Sequence, residues 1–107
     1  MSPFSKRGEN FENRFAHDEA LRFKATARRN KLLGLWAAQK LGKTDIDALT
    51  YARALVAADL AQAGGEDVFR TIRQDFNTAG VPQSDHQIRR NMDEFLARAA
   101  AEIHAGL

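Results

Sequence analysis

The chain has 107 residues, sixteen Lys or Arg against fourteen Asp or Glu, and no cysteine. That length suits one domain with a modest core, and the missing cysteine excludes disulfides, a thiolate metal site and a cysteine nucleophile. No apolar run reaches the roughly 18 residues of a membrane span, and the N-terminus lacks the apolar stretch and cleavage site of a signal peptide, which predicts a soluble, cytoplasmic protein.

The net charge of +2 conceals an asymmetry: residues 1–31 carry eight Lys or Arg against four Asp or Glu, and the remainder eight against ten. A nucleic-acid binder usually concentrates more excess charge on one face. An acidic protein partner fits at least as well, and nucleic acid is the less favoured one.

The first sixteen residues differ from the rest. Pro3 and Gly8 weaken a helix, and the apolar content is Phe4, Phe11 and Phe15 among mostly polar residues. At about 100° per residue these rings share one narrow stripe, which continues through Arg22, Thr26 and Arg29. Those later positions read as solvent, so the rings have no core of their own. Residues 1–16 are expected to form an arm that awaits a partner and is disordered or frayed when free. The competing reading, in which the arm folds back and buries its rings on the bundle, is disfavoured because the stripe does not share the core face.

Four helices follow, and strands do not, since no stretch alternates apolar and polar residues for long. The first runs from about Asp18 to Leu41, and from near Ser5 with a partner present. Its expected core positions are Leu21, Ala25, Leu32, Leu35 and Trp36, with Phe23, Ala27, Ala38 and Leu41 on a second face. Gly42 ends it. Thr44, with Asp47 three residues on, reads as a variant capping box opening a second helix whose stripe is Leu49, Ala52, Val56 and Leu60. Gly64-Gly65 stops it. Glu66 and Asp67 sit favourably in the positive first turn of a third helix, with a stripe of Phe69, Ile72, Phe76 and Ala79 ending at Gly80, and Pro82 prevents continuation. Ser84 and Gln87 form a capping box for a fourth helix that repeats Ile88, Met92, Phe95, Ala99 and Ile103. The fold class is all-α: a compact up-and-down four-helix bundle over 17–107 with a flexible, conditionally helical arm over 1–16.

Catalytic chemistry is hard to find. His17, His86 and His104 lie in separate elements with no His-x-x-x-His pair, and adjacent residues of His17-Asp18-Glu19 point about 100° apart on a helix, so no metal site is expected. Asp93-Glu94 adjoins Arg89, Arg90 and Arg98, an ordinary solvated face. Gly64-Gly65 lacks the strand before it and the Lys-Ser or Lys-Thr after it that a phosphate loop needs. An enzyme is not expected.

The cluster Arg28-Arg29-Asn30-Lys31 has two readings. Arg28, Arg29 and Lys31 could hold the phosphates of a nucleotide or nucleic acid. In the favoured reading, Arg28 crosses the seam between helices with its stem buried and its head paired to Asp59 or Asp75. Trp36 reads as core.

The segments Phe11-Glu12, Arg14-Phe15-Ala16-His17-Asp18-Glu19, Phe23-Lys24-Ala25, Ala27 through Ala38 (ARRNKLLGLWAA) and Leu41-Gly42-Lys43 resemble the zeta-subunit inhibitors of the alphaproteobacterial F-type ATP synthase. Glu66-Asp67-Val68 and His86-Gln87-Ile88-Arg89-Arg90 with Met92-Asp93 are similar too. The resemblance covers nearly the whole chain, and the Ala-Arg-Arg-Asn-Lys-Leu-Leu-Gly-Leu-Trp-Ala block is its most specific part. It implies a four-helix bundle whose N-terminal arm becomes helical at the interface of a catalytic and a noncatalytic subunit, blocking ATP hydrolysis. Phe4, Phe11 and Phe15 would then be seated in the groove, with Arg7 and Arg14 flanking them to pair with carboxylates of the partner. The partner implied is the catalytic sector of the synthase, with the protein peripheral to the membrane when bound and a monomer when free. The family's association with adenine nucleotides implies weak ADP or ATP binding at Arg28, Arg29 or Lys31, and no other cofactor. The sequence departs from the family pattern at Ser5, Lys6 and Gly8, where acids and no glycine are usual. Two other classes compete: a helical domain binding phosphates through its basic first helix, and a plain scaffold in which the arm is dispensable.

Overall fold

A computed structural model of the chain describes residues 3–61 and 65–106, with side chains from 18–60 and 65–106. Four helices follow one another: α1 (Pro3–Lys40), α2 (Asp45–Ala61), α3 (Glu66–Ala79) and α4 (Asp85–His104). The described residues contain no strand. α1 opens at Pro3 rather than near Asp18. Proline is tolerated at a first helical position, where its missing N–H leaves no helical bond unmade, and Gly8 is carried within the helix.

Two connections have a visible local cause, while the expected stop at Gly64-Gly65 lies partly outside the described residues. After α1 the chain turns left-handed at Gly42 (φ 79°), and the Lys43 N–H bonds the Ala38 carbonyl at 2.9 Å. α3 ends the same way, with Gly80 at φ 71° and the Val81 N–H on the Phe76 carbonyl at 2.9 Å. Both are glycine closures that satisfy orphan carbonyls of the last turn. Ser84 and Gln87 form the expected reciprocal capping box at α4. The start of α2 differs from expectation. Asp45 adopts φ 50°, and the Asp47 N–H bonds the Thr44 carbonyl at 3.1 Å rather than its hydroxyl. Aspartate tolerates that left-handed turn better than most residues.

The bundle runs up and down. Gly34 faces Ala52 and Asn30 reaches Asp59, so α2 is antiparallel to α1. Tyr51 bonds Asp75 and Trp36 packs edge-on against Phe76 with ring centroids 5.6 Å apart, so α3 returns alongside α1. Arg29 lies near Met92, while Asp18, Leu21, Ile103 and His104 share one end, so α4 is antiparallel to α1. The core is Leu33, Ala37, Leu55, Val68, Phe69, Ile72, Phe76, Ile88 and Met92, with Trp36, Leu41, Tyr51, Val81 and Phe95 packed around it.

That core corrects the expected faces. On α1 the buried positions are Ala25, Arg29, Asn30, Leu33, Ala37 and Ala38, whereas Leu21, Leu32, Leu35, Trp36 and Leu41 are half-buried and Phe23 is exposed. Arg29 is buried, not solvated. On α2, Ala52, Leu55 and Asp59 face inward while Leu49 and Leu60 are exposed. On α3, Val68 is buried and Ala79 is exposed. The reason is the close α1–α2 approach at Gly34, where an added Cβ would stand 2.7 Å from the Ala52 Cα. Small residues bring the backbones together, which selects the face bearing Gly34, Ala37 and Ala38 over the one bearing more leucine.

Candidate functional site

Three features mark this molecule functionally: a long projecting helix, a buried polar latch inside the bundle, and a groove between the latch and the projecting end. The molecule measures 64 × 24 × 22 Å. Only α1 accounts for the long dimension, since its 38 residues span about 57 Å at about 1.5 Å per residue, against about 30 Å for the 20 residues of α4. The C-terminal ends of α2 and α4 lie level with Asp18 to Ala20. The fifteen positions from 3 to 17 therefore extend about 22 Å beyond the bundled part of α1. The expected anchors Phe4, Arg7, Phe11, Arg14 and Phe15 sit on this extension, and their side chains lie outside the described residues.

The latch joins α1, α2 and the residue that caps α3. Arg29 Nε donates to Asn30 Oδ1 at 3.0 Å, and Asn30 Nδ2 donates to Asp59 Oδ2 at 2.8 Å. The Gly65 N–H reaches Asp59 Oδ1 at 3.3 Å, tying the start of α3 to the end of α2. Arg29 Nη2 lies 3.8 Å from Asp59 Oδ2 and makes no hydrogen bond of its own. Burial lowers the Arg29 pKa from its ordinary value, while the Asp59 and Asp93 charges act against that shift. The guanidinium nevertheless stays charged, as arginine does throughout the accessible pH range. Gly65 sits over it at φ 82°, where an added Cβ would meet the Met92 methyl at 3.0 Å and Arg29 Nη2 at 3.1 Å. Only glycine accommodates that close approach and that backbone angle.

The sequence reading placed the seam-crossing role on Arg28 with Asp59 or Asp75. The structure gives it to Arg29 with Asp59. Arg28 lies 3.7 Å from Glu102, and Asp75 accepts the Tyr51 hydroxyl at 2.7 Å. Lys31 is exposed. Of the three cations of the cluster, Arg29 is thus taken up inside the bundle, Arg28 lies beside Glu102 and Lys31 remains at the surface. The Arg89 guanidinium stacks 3.9 Å above the Phe69 ring and bonds Glu66 at 3.1 Å, which holds that carboxyl below its ordinary range.

Above the latch, α1 and α2 diverge around a groove of about 550 Å³. Its walls include Phe23, Ala27, Val56 and Leu60, its floor Asn30 and Asp59, and its rim Glu19, Arg22 and Thr26. Among the described residues no group of three or more His, Asp or Glu could hold a metal ion, and no helix is long and apolar enough to cross a membrane.

Fold and site together define a small helical bundle that presents one overlong helix. The chain belongs to the ATPase inhibitor subunit zeta family, whose sequence profile matches residues 1–102. A solved structure determined by solution NMR is similar: it is 39% identical, superposes with a TM-score of 0.70, and the match covers 81% of this chain and 99% of that one. The comparison with curated proteins gives no match.

Proposed function

We propose that this protein inhibits ATP hydrolysis by the F-type ATP synthase by inserting the N-terminal extension of α1 at the interface between a catalytic and a noncatalytic subunit. The observation that carries the reading is the unbroken course of α1 from Pro3 to Lys40, which presents positions 3–17 as a continuation of a helix anchored in the bundle. A helix in a groove is held by anchors spaced along one face. Positions 4, 11 and 15 supply those anchors as phenylalanines, with Arg7 and Arg14 beside them for carboxylates of the partner. The bundle serves as a handle: the latch at Arg29, Asn30 and Asp59 holds α1 in the bundle from which the arm extends.

The test is ATP hydrolysis by the detergent-free catalytic sector, titrated with the full chain and with a chain beginning at His17. The full chain should inhibit and the shortened one should not. Equal inhibition by both would remove the arm from the mechanism. Binding that ignores Phe11 and Phe15 yet falls steeply with salt would replace it with phosphate binding through the basic first helix.

A further inference from the structure

The arm's aromatic stripe continues along α1 through exposed Glu19 and Arg22 and half-buried Thr26. It runs into the groove between α1 and α2. Relative to position 15, Glu19, Arg22 and Thr26 lie within about 40° around the helix at about 100° per residue, and all three line the groove. Phe23 stands about 80° from position 15 on the α1 wall, and Leu60 stands on the α2 wall. Each is 60% exposed. A single exposed leucine is ordinary, whereas two large apolar side chains on the walls of one concavity mark a surface suited to a partner.

The floor limits what that partner can place there. Asn30 and Asp59 are already bonded to each other, and Arg29 and Gly65 complete the set, so the Asp59 charge is matched from beneath. An ion gains little from such a floor, while an apolar side chain gains the Phe23, Ala27, Val56 and Leu60 surfaces. Position restricts the source. Phe23 lies eight residues beyond position 15, about 12 Å along the same helix, so a subunit that grips the arm's rings is within reach of this groove.

We infer that the α1–α2 groove is a second contact with the same catalytic-sector subunit that receives the arm, filled by an apolar side chain of that subunit lodged between Phe23 and Leu60. This rests on the reading of α1 as the inserting helix. The arm supplies insertion, and the groove slows departure.

The experiment compares full-length chains: Phe23→Ala with Leu60→Ala, Phe11→Ala with Phe15→Ala, and Ile46→Ala, an exposed residue at the far end of α2. Affinity for the detergent-free catalytic sector and the dissociation rate are read alongside thermal melting and sedimentation. The groove variant should bind about tenfold more weakly, chiefly through faster dissociation, with unchanged melting, and Ile46→Ala should match the unaltered chain. If melting drops, Leu60→Ala alone carries the test, with about a threefold loss expected from one truncated contact. Groove variants that bind within twofold of the unaltered chain, while the arm variant loses inhibition, overturn the groove contact and leave the arm reading intact. Full affinity in the arm variant overturns both. A change in self-association without a change in enzyme affinity assigns the groove to a second copy and overturns the inference.

Discussion

Replacing Asp59 by alanine should be the most damaging single polar change in the bundle. The Asp59 carboxylate accepts from Asn30 at 2.8 Å and from the Gly65 N–H at 3.3 Å, and it faces the buried Arg29 guanidinium at 3.8 Å. Arg29 is only 8% exposed, so removing its counter-charge strands a cation away from water. Breaking a buried pair from one side costs about 3–5 kcal/mol, a large part of the roughly 5–15 kcal/mol that holds such a domain folded. A loss of about 3 kcal/mol should lower the melting temperature by about 12 °C or more in a domain of this size. Asp59→Asn, which keeps an acceptor for Gly65, should lose less. Arg29→Met combined with Asp59→Leu should recover part of the loss, because no unpaired charge then remains although the buried Asn30 amide and the Gly65 N–H lose their partners. Thermal melting followed by far-UV circular dichroism, with urea midpoints as a check, measures all three. An Asp59→Ala cost below about 1 kcal/mol, the range of exposed pairs, would refute the view that this latch is a desolvated tie between α1, α2 and the start of α3.

Other expectations follow from single contacts. Gly34→Ala should destabilise by about 1–2 kcal/mol in urea titration, because overpacking against the Ala52 backbone, with a Cβ 2.7 Å from its Cα, outweighs the roughly 1 kcal/mol helix-propensity gain. Gly8→Ala, inside α1, should favour the helical arm by about 0.5–1 kcal/mol and lower the half-inhibitory concentration about two- to fivefold in a hydrolysis assay. Burial, together with the bond to Asp75, raises the Tyr51 phenol above its ordinary value. Its contribution is therefore complete below about pH 10, the unfolded-state value, and is lost as pH rises further. The stability difference between the unaltered chain and Tyr51→Phe should shrink above that pH.

The helix count, the stops at Gly42 and Gly80, and the Ser84–Gln87 box were legible because each depends on residues a few positions apart. The inward face of α1 was not. Choosing the face by hydrophobicity favours Leu32 and Leu35, whereas the bundle selects Gly34, Ala37 and Ala38, whose smallness lets α2 approach. The same choice mistook Arg29 for a solvated residue, although its i+4 and i+8 neighbours, Leu33 and Ala37, are core. An Arg-Asn pair in register with a small-residue face was the available signal, and Asp59, in register with Ala52 and Leu55, was its partner. The latch joins residues 29 positions apart, a pairing that no local pattern specifies. The groove depends on how α1 and α2 diverge above it, which sequence spacing likewise does not encode.

The most direct test of arm insertion places a photoreactive amino acid at position 11 of the full chain and irradiates it with the detergent-free catalytic sector during ATP hydrolysis. The account predicts cross-links to a catalytic subunit and its noncatalytic neighbour, accompanied by loss of hydrolysis. Inhibition in which position 11 cross-links to neither subunit, while a probe at the α4 position Arg90 does, would contradict it.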